Sequence, residues 1–263
     1  MLTVEQISGY FPLPMQQRNP RGMLVEYLQY ELLDSLFKNA AAAKLSFIGG
    51  TAIRILHDSS RFSEDLDFDN FGLSFPQFEE LLKTACRDME YKGFLIEYRV
   101  IEKGAGHCYI RFPKILQEAG LSPDAERKIL IRIDSEAKDK LYAPKKIFLN
   151  RFSVYRQILA APAEILLPQK MLAILYRKRE KGRDIFDVSF LTGFATPDFE
   201  YLEKTIGLDR AEFIRRFDER LGELDLNALA RDVEPFLFAP EQRERVTSFR
   251  DFWRLKGIAK TEG

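Results

Sequence analysis

The sequence predicts an α+β fold in which a mixed α/β domain is followed by a helical domain. Short runs of strand-forming residues alternate with helical patterns in the first half, and the clearest strand is 129–134. From Pro162 onward the apolar spacing is helical. We therefore predict an α+β domain at 1–160, a helical domain at 161–255 and a flexible tail at 256–263.

The individual elements follow from local patterns. Apolar residues at helical spacing predict an amphipathic helix near 22–39, and a second helix is predicted at 76–90. The run 45–48 predicts a strand that ends at a diglycine, after which a helix resumes at Thr51. Further strands are predicted at 95–101 and 107–112. In the second half, turns are expected at glycines and prolines, among them Pro168.

The composition excludes several classes of protein. With 263 residues and 46% hydrophobic residues, the chain can bury a proper core. Two cysteines, Cys86 and Cys108, cannot form a disulfide framework, and we expect ordinary buried thiols in a reducing compartment. The N-terminus does not resemble a signal peptide, and no apolar stretch is long enough to cross a bilayer. We therefore expect a cytoplasmic protein without a membrane association.

The charge balance limits how the chain can bind nucleic acid. Forty basic and forty acidic residues give a formal net charge of +0. Binding to RNA or DNA would need a local basic patch, and the basic run at 177–183 is a candidate. The alternative interpretation of this run is a solvated helix end.

The diglycine is the first candidate for a functional site. Gly49 and Gly50 follow a strand and precede a helix, a position where backbone N–H groups can approach a ligand. Thr51 adds a hydroxyl that can cap the helix or touch a phosphate. The alternative is a plain turn.

A row of carboxylates follows the diglycine. If 63–69 forms a strand, Asp65, Asp67 and Asp69 share one face, because side chains alternate along a strand. Three aspartates on one face repel each other unless a cation lies among them, and such oxygen ligands suit Mg²⁺. The alternative is an edge strand whose polar face is in water.

A third carboxylate can join this pair from a distant strand. In 129–134 the polar residues Arg132 and Asp134 share one face. If this strand lies beside the first, Asp65, Asp67 and Asp134 could hold two Mg²⁺ ions, or Mn²⁺ in their place. An isolated aspartate at a strand end is the alternative interpretation of Asp134.

The helical half contributes a lysine and two further carboxylates. Lys170 and Arg177 lie on one side of a predicted helix, and Asp184 and Asp187 are three residues apart on the next. The two cations could grip a triphosphate. Equally, they could be salt-bridge partners of Asp184 and Asp187.

Three motifs occur in a fixed order along the chain: GGTAIRILHDSSRFSEDLDFD, then IRID, then QKMLAILYRKREKGRDIFDVSFL. Together they resemble the AbiEii/AbiGii-type toxin nucleotidyltransferases of type IV toxin–antitoxin and phage-defence systems. The resemblance spans about residues 22–195. It implies a polymerase-β-like nucleotidyltransferase fold, with a mixed sheet and flanking helices.

The resemblance also implies roles for individual residues. It places Gly49, Gly50 and Thr51 at the nucleotide phosphates. It makes Asp65 and Asp67 the metal-binding pair, with Asp134 as the third carboxylate. Lys170 matches the lysine that supports the triphosphate. Asp184 matches an acidic position in the C-terminal part of the family pattern and is given a catalytic role, for which Asp187 is the alternative. Arg61 and Ser63 match the motif and would position the carboxylates or the phosphates.

The function implied is metal-dependent transfer of a nucleotide from an NTP to an acceptor hydroxyl. Some family members modify tRNA ends, so RNA is one expected acceptor, while protein and small-molecule acceptors remain open. The family also implies an antitoxin encoded nearby as a possible partner. Two other functions remain open on the same residues. One is a non-catalytic protein that binds nucleotide or a partner, and the other is a phosphate-handling hydrolase.

Overall fold

The computed structural model describes residues 1–256 and divides the chain into two compact units. The first unit comprises Met1–Ala52, Phe62–Lys140 and Pro144–Ala160. The second comprises Ile53–Arg61, Leu141–Ala143 and the described chain that follows Ala160, residues 161–256. The tail predicted at 256–263 lies, from residue 257, outside the described residues.

One mixed sheet organises the first unit. In the described part of the chain it has seven strands: β1 (Leu45–Ile48), β2 (Leu66–Asn70), β3 (Glu97–Lys103), β4 (Ala105–Phe112), β5 (Ile129–Ala137), β6 (Lys145–Arg151) and β7 (Val154–Ala160). Their order in the sheet is β3-β4-β5-β2-β1-β7-β6. The β2–β5 and β1–β7 pairs are parallel, and the other neighbouring pairs are antiparallel.

Helices cover one face of this sheet. The long helices α3 (Pro20–Phe37) and α5 (Phe75–Tyr91) pack on each other and against the strands. The strand side chains on the covered face include Phe68, Ile133 and Cys108, which are all buried. The opposite face carries the alternate residues, including Asp67 and Asp134. The helices that begin in this unit are α1 (Val4–Ser8), α2 (Leu13–Arg18), α3 (Pro20–Phe37), α4 (Gly49–His57), α5 (Phe75–Tyr91) and α6 (Ile115–Glu118).

Helix α3 differs from the amphipathic helix that the sequence predicts near 22–39. Nearly all of its residues are buried, including the polar Glu26 and Gln29. The cause is the N-terminal segment, because α1 and α2 pack on α3 in addition to the sheet and α5. The backbone N–H of Leu2 donates a 3.0 Å hydrogen bond to the Tyr27 hydroxyl, which holds this segment on the helix.

The second unit is helical and has its own aromatic core. Phe213, Phe217, Phe249 and Trp253 are buried. Phe213 stacks on Phe217, Trp253 contacts Phe217 and Phe249 in tilted arrangements, and the Trp253 indole N–H donates to Asp218 at 2.7 Å. Its helices are α7 (Ala163–Tyr176), α8 (Gly182–Leu191), α9 (Phe199–Ile206), α10 (Arg210–Glu223), α11 (Leu226–Val233), α12 (Glu244–Thr247) and α13 (Phe249–Lys256). None of the helices in residues 1–256 is both long and apolar enough to span a membrane.

Pro168 lies inside α7, and the turn predicted there is wrong. Proline has no N–H to donate to the carbonyl four residues earlier, which here belongs to Glu164. The backbone N–H of Asp198 donates to that carbonyl instead, at 2.9 Å. The helix therefore continues because a distant segment satisfies the acceptor that Pro168 leaves open.

Candidate active site

The diglycine joins β1 directly to α4. The helix begins at Gly49, two residues before the predicted start at Thr51. Gly49 has a φ of +81°, which favours glycine, and a Cβ at this position would overlap the Asp67 carboxylate. The glycine is therefore required both for the turn and for the close approach of Asp67.

The Thr51 hydroxyl contacts the loop that leads into β2. It is fully buried, and it donates a short hydrogen bond to the backbone carbonyl of Asp65. The first turn of α4 and the residue before β2 are thereby fixed to each other. This contact accounts for the hydroxyl at position 51 without a ligand.

The strand predicted at 63–69 starts later, at Leu66. Two backbone carbonyls just before it accept hydrogen bonds from side chains: the Gln29 amide donates to that of Ser63 at 2.9 Å, and the Thr51 hydroxyl donates to that of Asp65. A carbonyl bonded in this way does not extend a strand ladder. Asp65 therefore projects from a fixed loop, whereas Asp67 projects from β2.

The parallel pairing of β2 and β5 brings the distant carboxylate to the first pair. Asp67 and Asp134 are direct neighbours in the register, and Leu66 lies opposite Ile133. The strand of Asp134 therefore lies beside the strand of Asp67, as the prediction of a shared site required. Asp65, Asp67 and Asp134 all belong to the first unit, and each is partly exposed.

Two basic residues that were not assigned to the site complete this cluster. His107, on β4, lies opposite Asp134, and its Nδ1 is 2.8 Å from Asp134 Oδ1. Arg132 approaches Asp65 Oδ2 at 3.2 Å through Nη2 and Asp134 Oδ2 at 2.9 Å through Nε. The alternation along β5 predicts that Arg132 and Asp134 share a face. The position of His107 opposite Asp134 depends on the register between β4 and β5, which the sequence of one strand does not show.

The carboxylates change the acid–base behaviour of Arg132. Partial burial by itself would lower the pKa of Arg132, but the charges of Asp65, Asp134 and Asp67 outweigh this effect and raise it. The guanidinium is therefore a permanent positive charge among three negative groups.

The cluster has suitable donors for a divalent cation, although they do not converge as they stand. Within residues 1–256, no group of three or more His, Cys, Asp or Glu side chains is arranged to hold a metal ion. The chemistry of the donors nevertheless fits Mg²⁺ or Mn²⁺, since three carboxylates project from two paired strands and the preceding loop. The absence of a Cβ at Gly49 lets the Asp67 carboxylate lie directly against the start of α4.

The predicted residues of the helical half form a separate buried cluster in the second unit. Lys170 Nζ lies 3.1 Å from Asp184 and 2.9 Å from Asp187. Arg61 binds both oxygens of Asp187, at 2.7 Å and 2.5 Å, and Arg177 lies 2.8 Å from Asp184. The salt-bridge alternative for these residues is thus present in the structure.

Burial and charge act against each other in this cluster. Burial would raise the pKa of Asp187, but Arg61 and Lys170 outweigh it and lower the pKa. Burial would lower the pKa of Lys170, and Asp187 and Asp184 outweigh it and raise the pKa. Both Asp187 and Lys170 are therefore charged at neutral pH.

The comparison with known families identifies the chain. A sequence profile described as the nucleotidyl transferase AbiEii toxin of a type IV toxin–antitoxin system matches residues 31–254. The chain belongs to the AbiEii family of nucleotidyltransferase toxins. The family resemblance drawn from the three sequence motifs is thereby confirmed.

Solved structures agree with this AbiEii assignment at the level of the fold. JHP933 from Helicobacter pylori has 17% identity and a TM-score of 0.57, with 91% of this chain and 92% of that chain covered. A candidate nucleotidyltransferase from H. pylori has 18% identity and a TM-score of 0.58, with 91% and 95% covered. Together with the mixed sheet, they confirm the predicted polymerase-β-like fold. No curated protein matches the chain.

Proposed function

We propose that this AbiEii-family chain transfers a nucleotide from an NTP to an acceptor hydroxyl at the Asp65, Asp67 and Asp134 cluster. The observation that carries the proposal is the direct pairing of Asp67 with Asp134 beside the start of α4. A helix start has backbone N–H groups without intrahelical partners, and it favours negatively charged ligands. The carboxylate cluster therefore lies next to the start of α4, which is a favourable position for phosphate groups.

The three carboxylates would hold Mg²⁺, with Mn²⁺ as a substitute and room in the donor set for a two-ion site. When bound, such ions neutralise phosphate charge and lower the pKa of an attacking hydroxyl. The contribution of the chain is to position these donors. The Thr51 hydrogen bond fixes the backbone at Asp65, and the β2–β5 ladder fixes Asp67 against Asp134.

The phosphates would lie over Gly49, Gly50 and Thr51, as the family resemblance implies. The same resemblance assigns Lys170 to the triphosphate and Asp184 to a catalytic role. In the described structure Lys170 is already paired with Asp184 and Asp187, so binding of a phosphate by Lys170 would require it to exchange a partner. The bidentate Arg61–Asp187 pair is suited to a supporting role, which favours Asp184 for the catalytic one.

The acceptor is proposed to be RNA, for which a tRNA end is the family's precedent. The support in this chain is the basic run 177–183, where Lys178 and Arg179 are exposed in the segment between α7 and α8. Membership of a type IV toxin–antitoxin family supports an antitoxin as partner. A cytoplasmic location and a role in phage defence complete the proposal.

The test incubates wild type and Asp67→Asn with total RNA, Mg²⁺ and each labelled NTP in turn. The rate at which labelled nucleotide is transferred to the RNA is measured for both proteins. We expect the variant to lose at least about 100-fold in rate, because an amide is a poor ligand for the charge-neutralising cation. The matched control is Asp139→Asn, an exposed aspartate beyond β5 in the same unit, which should keep full activity.

Other outcomes identify the alternative functions. Nucleotide binding by calorimetry without any labelled product would indicate a non-catalytic binding protein. Release of free nucleotide without an acceptor product would indicate a hydrolase. Full transfer by Asp67→Asn would refute the assignment of the carboxylate cluster.

A further inference from the structure

Arg132 connects two of the three carboxylates at the proposed site. Its Nη2 lies 3.2 Å from Asp65 Oδ2, and its Nε lies 2.9 Å from Asp134 Oδ2. The guanidinium is planar and cannot lose its charge at any ordinary pH. One positive charge is therefore already placed where a divalent cation would be shared between these carboxylates.

Asp134 is held on both sides. His107 Nδ1 contacts Oδ1 at 2.8 Å, while Arg132 contacts Oδ2. A cation bound through Asp134 must therefore displace one of these two partners or share an oxygen with it. The Asp67 carboxylate lies against Gly49 at the start of α4.

We propose that Arg132 is the resident counter-cation of the carboxylate cluster, and that it keeps divalent cations weakly bound until nucleotide supplies further ligands. This inference rests on the proposed metal-dependent function. Arg132 reduces the repulsion among Asp65, Asp67 and Asp134, and it competes with a divalent cation for the same carboxylate oxygens. A triphosphate adds oxygen ligands for the cation, and its negative charge gives the displaced guanidinium a new partner.

The direction of the effect follows from electrostatics. A unit positive charge a few ångströms from a divalent cation repels it by about 1–2 kcal/mol even at the dielectric constant of water, which corresponds to about ten-fold in affinity. Removing the charge of Arg132 should therefore strengthen cation binding. A residue that only stabilised the fold would have no such effect.

The experiment is calorimetric titration of the full chain with Mn²⁺ in the absence of nucleotide. We expect Arg132→Gln to bind Mn²⁺ about ten-fold more tightly than wild type. Arg132→Lys, which keeps the charge, should restore weak binding. If Arg132→Gln folds poorly, Arg132→Ala can replace it in the experiment. It removes the same charge and should likewise bind Mn²⁺ more tightly than wild type.

The matched control is Arg87→Gln. Arg87 is an exposed arginine on α5, the helix that covers the opposite face of the sheet. The variant makes the same change in net charge and should leave Mn²⁺ affinity at the wild-type value.

Each further outcome has a separate meaning. If wild type binds Mn²⁺ and both neutral Arg132 variants bind it equally well or less tightly, the inference about Arg132 is overturned and the proposed function stands. If neither wild type nor any variant binds Mn²⁺, with or without a non-hydrolysable NTP analogue, the metal-dependent function fails and the inference fails with it.

Discussion

Gly49 is the residue that most directly shapes the carboxylate cluster. Its φ of +81° lies in the left-handed region, and the space of its missing Cβ is taken by Asp67. We expect Gly49→Ala to lose about 1–3 kcal/mol of stability through backbone strain. Displacement of the carboxylate should also reduce nucleotide transfer by roughly 100-fold. Urea unfolding and the labelled-NTP assay measure the two losses separately.

Gly93 provides the control for that substitution. It has a similar φ of +92° and follows the end of α5, and a Cβ at this position would meet no atom within 4 Å. Gly93→Ala should lose about 1 kcal/mol from backbone strain alone and keep its transfer activity. Equal activity of the two alanine variants would show that Gly49 does not position Asp67.

At the residue scale, the sequence was informative where one strand or one helix turn decides the geometry. The alternation along β2 places Asp67 on the face opposite Leu66 and Phe68, as predicted, and the three-residue spacing brings both Asp184 and Asp187 to Lys170. Asp65 lies before β2, so the predicted strand face shared by Asp65 and Asp67 is wrong. His107 was missed because its position depends on the β4–β5 register. Such a register is set by pairing across the sheet and leaves no mark within β4 itself.

At the element scale, β1, β4 and β5 were predicted close to their observed bounds, and β3 was predicted to start and end two residues early.

The β6–β7 hairpin was not recognised as a pair of strands. Its turn residues, Phe152 and Ser153, have φ values of +54° and +65°, a conformation in which asparagine and glycine are usual. Without those residue types the turn has no recognisable sequence pattern. Here tertiary packing holds the conformation, because Phe152 is buried among the rings of Tyr10, Tyr27 and Tyr30.

The contact between α8 and α11 supports an element-scale prediction. Gly182 begins α8, and a Cβ there would overlap the backbone carbonyl of Leu229 on α11. We expect Gly182→Ala to lose about 1–3 kcal/mol of stability, since a backbone atom cannot move aside as a flexible side chain can. The loss would be seen as a lower urea midpoint.

Gly222, in α10, is the helical glycine to compare. A Cβ at this position meets nothing within 4 Å. Gly222→Ala should be neutral or gain up to about 1 kcal/mol, because alanine favours the helix more than glycine does. A loss in Gly222→Ala as large as that in Gly182→Ala would argue against the packing explanation.

At the scale of the whole molecule, buried ionisable side chains with shifted pKa values make the free energy of unfolding depend on pH. The pKa of Asp187 is lowered, so its stabilising effect is present above the unfolded pKa of about 3.9 and is lost as the pH falls through the folded value. The pKa of Lys170 is raised, so its effect is present below about 10.4 and is lost as the pH rises through the folded value. Burial raises the pKa of the Cys86 thiol to about 12, which adds a loss above about pH 8.5.

We therefore expect maximal stability between about pH 5 and pH 8, with a decline on both sides. Urea unfolding at a series of pH values measures it. In Asp187→Asn the acid decline should be shallower. That variant should also be less stable at neutral pH by about 3 kcal/mol or more, because Arg61 and Lys170 lose a buried partner. An acid decline as steep as in wild type would contradict the role of Asp187.

The parallel pairing of β2 with β5 also affects how the protein is made. Parallel neighbours cannot be joined by a tight turn, and here the connection runs through α5, β3, β4 and α6. Contacts between residues so far apart in the chain form late, because the intervening loop must first be closed. A nascent chain on the ribosome that ends before β5 can pair Asp67 with β1, but it lacks the strand that places Asp134 beside Asp67. On the proposed function, the toxin therefore acquires its reactive cluster only after the strand that carries Asp134 has been synthesised and paired.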